Sequence, residues 1–240
     1  MSELLRTEDT DGALGLFENE VPAGWEGPRP DHESADHGYY VIDGQLAFRA
    51  GDDEPVRLAA GGFAFAPRGV PHAVANPGEG VARYVLVTTE QSSAAGPEPG
   101  PTVVENVSGR VKVLLRGADS GGRLALMDNV VPARTVGPPL HHHDFDEAFY
   151  ILAGEPTFRL GDELVTRGPG DLVWAPRGAH HCFSNLSDAD VRWLLICAPA
   201  GFERYFQRMA AKAAGVEPPP EALEPWPEVT VVGPRIGEAA

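Results

Sequence analysis

The constraint that most limits this chain is that it is written twice. Gly137 lies 110 positions after Gly27, and at that offset LLRTEDTDGALGLFENEVPAGWEG (4–27) covers LLRGADSGGRLALMDNVVPARTVG (114–137). Leu4/Leu114, Leu5/Leu115, Arg6/Arg116, Asp9/Asp119, Gly12/Gly122, Asn19/Asn129, Val21/Val131, Pro22/Pro132 and Ala23/Ala133 are identical pairs. FRAGD (48–52) meets FRLGD (158–162) at the same offset. APRG (66–69) then meets APRG (175–178) one position short of it, which places one extra residue in a turn of the first half. A repeat of about 100 residues is too long for a solenoid unit and long enough to enclose its own core. Two similar domains are therefore expected, an N-terminal one over 1–92 and a C-terminal one over 103–201. The linker is expected at 93–102, within the Pro/Gly-rich stretch QSSAAGPEPGP, and a helix and Pro-rich tail over 202–240.

Inside each repeat the segments YYVIDGQLAFRA, FYILAGEPTFRL, DLVWAPRG and VRWLLICAP are β-branched or aromatic and stop at Gly, Pro or Asp, the pattern of short strands joined by tight turns. With 28 Gly and 23 Pro interrupting 42% apolar residues, long helices are excluded and an all-β pair of barrels is expected. One exception follows the second repeat: Phe202, Phe206 and Met209 recur at helical spacing in GFERYFQRMAAKAAG, closed by Gly215, and predict one amphipathic helix packed on the barrel. EVTVVG (228–233) is open between an edge strand and a surface segment.

A formal charge of -16 opposes nucleic acid and anionic membranes, which attract Lys/Arg clusters. The start, MSELLRTEDTDG, has neither basic leader nor apolar signal core, and a cytoplasmic protein is expected. Cys182 and Cys197 lack metal-ligand spacing and are read as buried reduced thiols.

All eight histidines (32, 37, 72, 141, 142, 143, 180 and 181) fall in two equivalent zones of the repeat. On an extended segment His141 and His143 face one way and His142 the other. Glu147 shares their parity, Gly154 turns the chain back, and His181 follows the Pro176–Gly178 turn. Three neutral imidazoles and one carboxylate suit a divalent ion such as Fe, Mn, Ni, Co or Zn. A surface histidine cluster and a purely structural metal are the competing readings.

GPPLHHHDFDEAFYILAG (137–154) resembles the first motif of the cupins, a Gly followed by HxH, a Glu and a closing Gly. GDLVWAPRGAHHCFSN (170–185) resembles their second motif through Gly170, Pro176, Gly178, His181 and Asn185. The resemblance covers both halves and implies an all-β bicupin, two tandem double-stranded β-helix (jelly-roll-like) barrels, with a metal on His141, His143, Glu147 and His181. It is nearest to the quercetinase-type dioxygenases. That implies an oxidoreductase acting on a small aromatic or enolic metabolite, with Glu147 as ligand and proton acceptor. A redox-neutral isomerase, cyclase or decarboxylase would use the same ligands, and a non-catalytic small-molecule-binding barrel is the reading from another class. A monomer or homodimer is expected.

The first half keeps the second motif as GGFAFAPRGVPHAVAN, with Gly61, Pro67, Gly69, His72 and Asn76, but departs from the first. Asp31, Glu33 and His37 stand where the second half has His141, His143 and Glu147. Asp31, Glu33, His37 and His72 form a possible second metal site for a harder ion, against a vestigial barrel; His32 is expected to be exposed. Trp174, Phe149 and Phe158 are candidates to line an apolar pocket beside the metal. Arg68 and Arg177 are open between anion binding and solvated turn positions.

Overall fold

The computed structural model describes residues 1–27, 34–90, 100–104 and 110–237. The chain divides into two compact units, Met1–Ser108 with Ala118–Arg123, and Gly109–Gly117 with Leu124–Ala240. Most of the expected linker, residues 93–99, lies outside the described residues.

The first unit holds β1 (Ser2–Leu5), β2 (Gly15–Val21), β3 (Asp36–Asp43), β4 (Gln45–Ala50), β5 (Val56–Ala59), β6 (Phe63–Ala66), β7 (His72–Ala75), β8 (Ala82–Thr89) and β9 (Thr102–Val104). They form a sheet in the order β1-β2-β8-β3-β6-β9 and a smaller one in the order β5-β4-β7. The second unit repeats this with β10 (Val111–Leu115), β11 (Ala125–Val131), β12 (His141–His143), β13 (Asp146–Ala153), β14 (Thr157–Leu160), β15 (Glu163–Thr166), β16 (Leu172–Ala175), β17 (His181–Ser184), β18 (Val191–Ala198) and β19 (Val229–Val231). Its sheets run β10-β11-β18-β13-β16 and β15-β14-β17-β12-β19, all pairs antiparallel.

The duplication extends to irregularities. β3 slips register on β8 between Val41 and Asp43, and β13 slips on β18 between Ile151 and Ala153, the same positions 110 residues apart. In the first hairpin Phe48 pairs with Val56, and in the second Phe158 pairs with Val165. The extra residue therefore sits in the β4–β5 turn, where it changes no strand's register.

Each barrel is closed by the same asparagine. Asn76 Nδ2 donates to the carbonyls of Val21, Pro22 and Gly80; Asn185 Nδ2 donates to those of Val131, Pro132 and Ala189. Both are buried, and the two hydrogens of one amide are shared among three carbonyls where the chain leaves β2 or β11. Gly137 is equally specific, because a Cβ there would stand 1.7 Å from the Phe183 carbonyl oxygen.

Alternate residues of each strand fill a core between facing sheets, with Phe149, Phe158, Val173, Trp193 and Leu195 in the second unit and Tyr39, Phe48, Leu58 and Tyr84 in the first. Cys182 and Cys197 are buried and unbridged. Cys182, one residue past His181, packs with Leu140 and Ile236 away from that core, as strand parity requires.

The expected helix is α1 (Glu203–Ala214), capped by Gly215 in the left-handed conformation. Buried Glu203 fixes its start by accepting the backbone N–H groups of Gly117 (2.9 Å) and Gly201 (2.6 Å). Phe202 and Phe206 pack on the core, whereas Met209 is 48% exposed, so the apolar stripe is one turn shorter than its spacing predicts. EVTVVG resolves as an edge strand: β19 pairs with β12 through His141↔Val231 and His143↔Val229. No helix among the described residues is long and apolar enough to cross a membrane.

Candidate metal centre

The four predicted ligands arrive from both sheets of the second barrel. His141 and His143 stand on β12, and His141 is directly opposite His181 on β17; Glu147 comes from β13 on the facing sheet. All four are buried, and their ligand atoms lie within 4.8 Å of one another. His142, the residue of opposite parity, instead stacks on exposed His180 at 5.3 Å between ring centroids.

Backbone carbonyls determine which ring nitrogen faces inward. His141 Nδ1 lies 2.8 Å from the Pro139 oxygen, His143 Nδ1 2.9 Å from that of Phe145, and His181 Nδ1 2.9 Å from that of Ala179. A carbonyl only accepts, so each Nδ1 carries the proton, and a neutral ring presents its Nε2 lone pair to the centre. His143 Nε2 is 3.1 Å and His181 Nε2 2.8 Å from the same Glu147 Oε2. Lone pairs facing a carboxylate at that range repel unless positive charge lies between them, supplied by protons or by a cation.

The titration behaviour reflects the same demand. Burial works to raise the Glu147 pKa, but hydrogen bonds with His143 and His181 outweigh it and hold the group at about 2. Burial likewise opposes a charged His181, yet Glu147 pulls that pKa up, while His141, desolvated, is pushed down. At metal–ligand bonds of about 2.1 Å, adjacent donors sit ~3 Å apart and opposite ones ~4.2 Å. The donor set and its spacing thus fit a divalent first-row ion.

The ligands open into a cavity of about 590 Å³ whose walls include His141, Glu147, His181, Phe149, Phe183 and Trp193. Helix α1 and the tail form the far wall through Phe202, Tyr205, Phe206 and Trp226, with Arg208 4.4 Å over the Trp226 ring. No lysine or arginine is among the described lining residues. Two lining groups, Asn129 Oδ1 and Trp193 Nε1, are buried without a hydrogen-bond partner among the described residues, and the two residues sit directly opposite on β11 and β18.

Sequence reading missed Asn129, Trp193 and the aromatic wall from the tail. Asn129 carried a signal, being identical to Asn19 across the repeat; the others did not. Phe149 lines the cavity as expected and Phe158 packs behind it in the core. Trp174 does not line it: Val173 and Ala175 face inward, and Trp174 lies beside Leu160, Pro176 and His180 on the other face of β16. Arg177 neither grips an anion nor stands free in its turn. Its Nη2 lies 2.6 Å from Asp146 Oδ2, and its backbone N–H donates to Asp146 Oδ1. Arg68 repeats this with Asp36, which also takes an ion pair from buried Arg123.

In the first barrel His37 and His72 come together, with His37 Nδ1 3.0 Å from His72 Nε2. Burial, then the neighbouring His72, lowers the His37 pKa to about 4. Asp31, Glu33 and His32 lie outside the described residues.

Two facing antiparallel sheets with three inward imidazoles and one carboxylate between them define a small β-barrel with a candidate site for a divalent ion. The sequence matches the cupin domain family over 17–88 and 129–197, and the chain belongs to that family, with two such domains. No curated protein sequence matches it. Among solved structures it is similar to YlbA from E. coli, at 14% identity and TM-score 0.70 over 82% of this chain and 81% of that one. It is also similar to AerE from Microcystis aeruginosa, at 16% identity and TM-score 0.65 over 78% and 88%. A mutant of Bacillus subtilis oxalate decarboxylase matches at 14% identity and TM-score 0.64 over 96% and 84%.

Proposed function

We propose that the second barrel is the active centre of a metal-dependent enzyme acting on a small aromatic or enolic molecule, with an oxygen-dependent oxidation as the leading reaction. The observation that carries this reading is the opening of His141, Glu147 and His181 into one largely apolar cavity. Four protein ligands leave positions free on a six-coordinate ion, which distinguishes such a site from a closed structural one. A bound Fe, Mn, Ni, Co or Zn ion would supply Lewis acidity toward a substrate oxygen and, for the redox-active members, an electron path.

The chain's own residues supply the rest. The three carbonyl-anchored imidazoles fix the ion's position, and Glu147, ionised at neutral pH, stands where it can take a proton from a substrate hydroxyl. Phe149, Phe183 and Trp193 offer ring faces and exclude water. A hydroxyl both donates and accepts, so a single substrate O–H would satisfy Asn129 Oδ1 and Trp193 Nε1 together. A small dicarboxylate is disfavoured, because the lining offers no lysine or arginine to hold its second charge.

The decisive experiment is element-resolved metal content on untagged protein, followed by turnover of enolic and phenolic substrates with and without oxygen. His181→Ala should lower metal affinity more than about 100-fold. Turnover that survives both oxygen removal and replacement of the native ion by zinc would establish redox-neutral isomerisation or decarboxylation instead. A chain carrying both His181→Ala and His72→Gln that kept its metal would refute the four-ligand centre.

A further inference from the structure

We propose that the first barrel holds a second, different metal site, built from His37, His72 and Tyr39 and suited to a harder ion such as Fe(III). The proposal is independent of the reaction assigned to the second barrel and does not require Asp31 or Glu33.

His72 is oriented as a ligand. Its Nδ1 lies 2.9 Å from the Val70 carbonyl oxygen, the same bond two residues back that His181 makes with Ala179, so Nδ1 is protonated and Nε2 of the neutral ring carries a lone pair. Two groups converge on that nitrogen, the Tyr39 hydroxyl at 2.9 Å and His37 Nδ1 at 3.0 Å, and they are 3.5 Å from each other. An imidazole nitrogen has one in-plane lone pair, which accepts one proton well. With His37 Nδ1 bare, two nitrogen lone pairs face each other at 3.0 Å; with it protonated, His37 and Tyr39 crowd the same acceptor. A cation would draw on all three donor atoms at once.

The distances agree with that reading. At bonds of about 2.1 Å, two donors at a right angle stand ~3.0 Å apart and two at the tetrahedral angle ~3.4 Å. The three observed separations span that range. The repeat shows where the phenol came from: Tyr39 occupies the position of Phe149, 110 residues on, and His37 that of Glu147. Each barrel thereby keeps one oxygen donor, a carboxylate in the second and a phenol in the first. Binding breaks the Tyr39 O–H bond and releases its proton to solvent, leaving a phenolate whose hardness selects for higher charge.

The test uses the His181→Ala chain, in which the second barrel's site is disabled, with Fe(III) supplied as a weak chelate. We expect about one iron per chain and a visible phenolate-to-iron charge-transfer band rising in proportion to bound iron. Tyr39→Phe in the same background should abolish the band while leaving the protein folded, since it removes a single oxygen. His72→Gln should lower iron affinity more than about 100-fold. Failure of the His181→Ala chain to take up iron, iron bound without the band, or a band unchanged by Tyr39→Phe would each overturn the proposal. None of these outcomes bears on the second barrel.

Discussion

Position for position, the first barrel has His37 where the second has Glu147, Tyr39 where it has Phe149, and Tyr84 where it has Trp193. The strands carrying them keep the same order and the same bulges. The frame is thus indifferent to which polar group projects into the barrel, provided the chain crossings are held by Asn76 or Asn185. What separates the two barrels is chemistry at one end, plus the helix α1 that follows the second repeat and an edge strand that joins the histidine-bearing β12 there but the larger sheet, on β6, in the first. The difference teaches that duplication preserved backbone satisfaction and left the interior free to diverge, since interior donors can find partners in each other.

The largest contrast concerns the paired aspartates. Asp36 is fully buried and bound to Arg123, itself 2% exposed, whereas Asp146 meets Arg177, whose side chain is 44% exposed. Asp36→Ala removes the carboxylate paired with a buried guanidinium and should cost about 3–5 kcal/mol. Asp146→Ala should cost about 1–2 kcal/mol, chiefly for the lost backbone hydrogen bond. Urea unfolding of both variants measures this, and equal costs would end the distinction between the two turns.

Acid should act on the barrels of the metal-free protein in different windows. His37 has a folded pKa of about 4 against 6.5 unfolded, so between those values the unfolded chain binds more protons and stability falls as pH drops. Glu147, at about 2 against 4.5, contributes stability above pH 4.5 that is lost on descending toward 2. Each step is on the order of 3 kcal/mol. Denaturation midpoints at pH 7, about 4 and about 2.5 should show His37→Gln flattening the first step and leaving the second, and Glu147→Gln flattening the second. A crossed pattern would show that the two groups are not the local sources.

The smallest effect is expected in the β4–β5 turn. Deleting Asp53, which is exposed, gives the first hairpin the length of the second and should change stability by less than about 1 kcal/mol. A larger loss by thermal unfolding would mean that the turn, and not the strand faces, sets the pairing of Phe48 with Val56.

Much of this was legible before any coordinates. Period-two patterning and an offset of 110 specify two barrels because one face of every strand must be buried, and the spacing of His141, His143 and Glu147 fixes their common face for the same reason. Arg68 and Arg177 do lie in turns, but their aspartate partners were not legible because they lie 32 and 31 residues back in the sequence. Trp174 was misjudged because the inward parity of β16 is set by its pairing with β13 and not by its own composition.

The sequence by itself determined the duplication, the strand content and the four candidate ligands that the fold brings together, since each follows from local periodicity and a spacing read along the chain. Tertiary structure alone decided that Nδ1 of each ligand histidine is pinned by a carbonyl, that Tyr39 joins His37 and His72, and that α1 and β19 wall the cavity. The histidine–carbonyl contacts span only two residues, but which nitrogen they leave facing inward, like the meeting of Tyr39 with His72 and the wall from α1 and β19, depends on how strands and sheets pack, which no window of residues encodes.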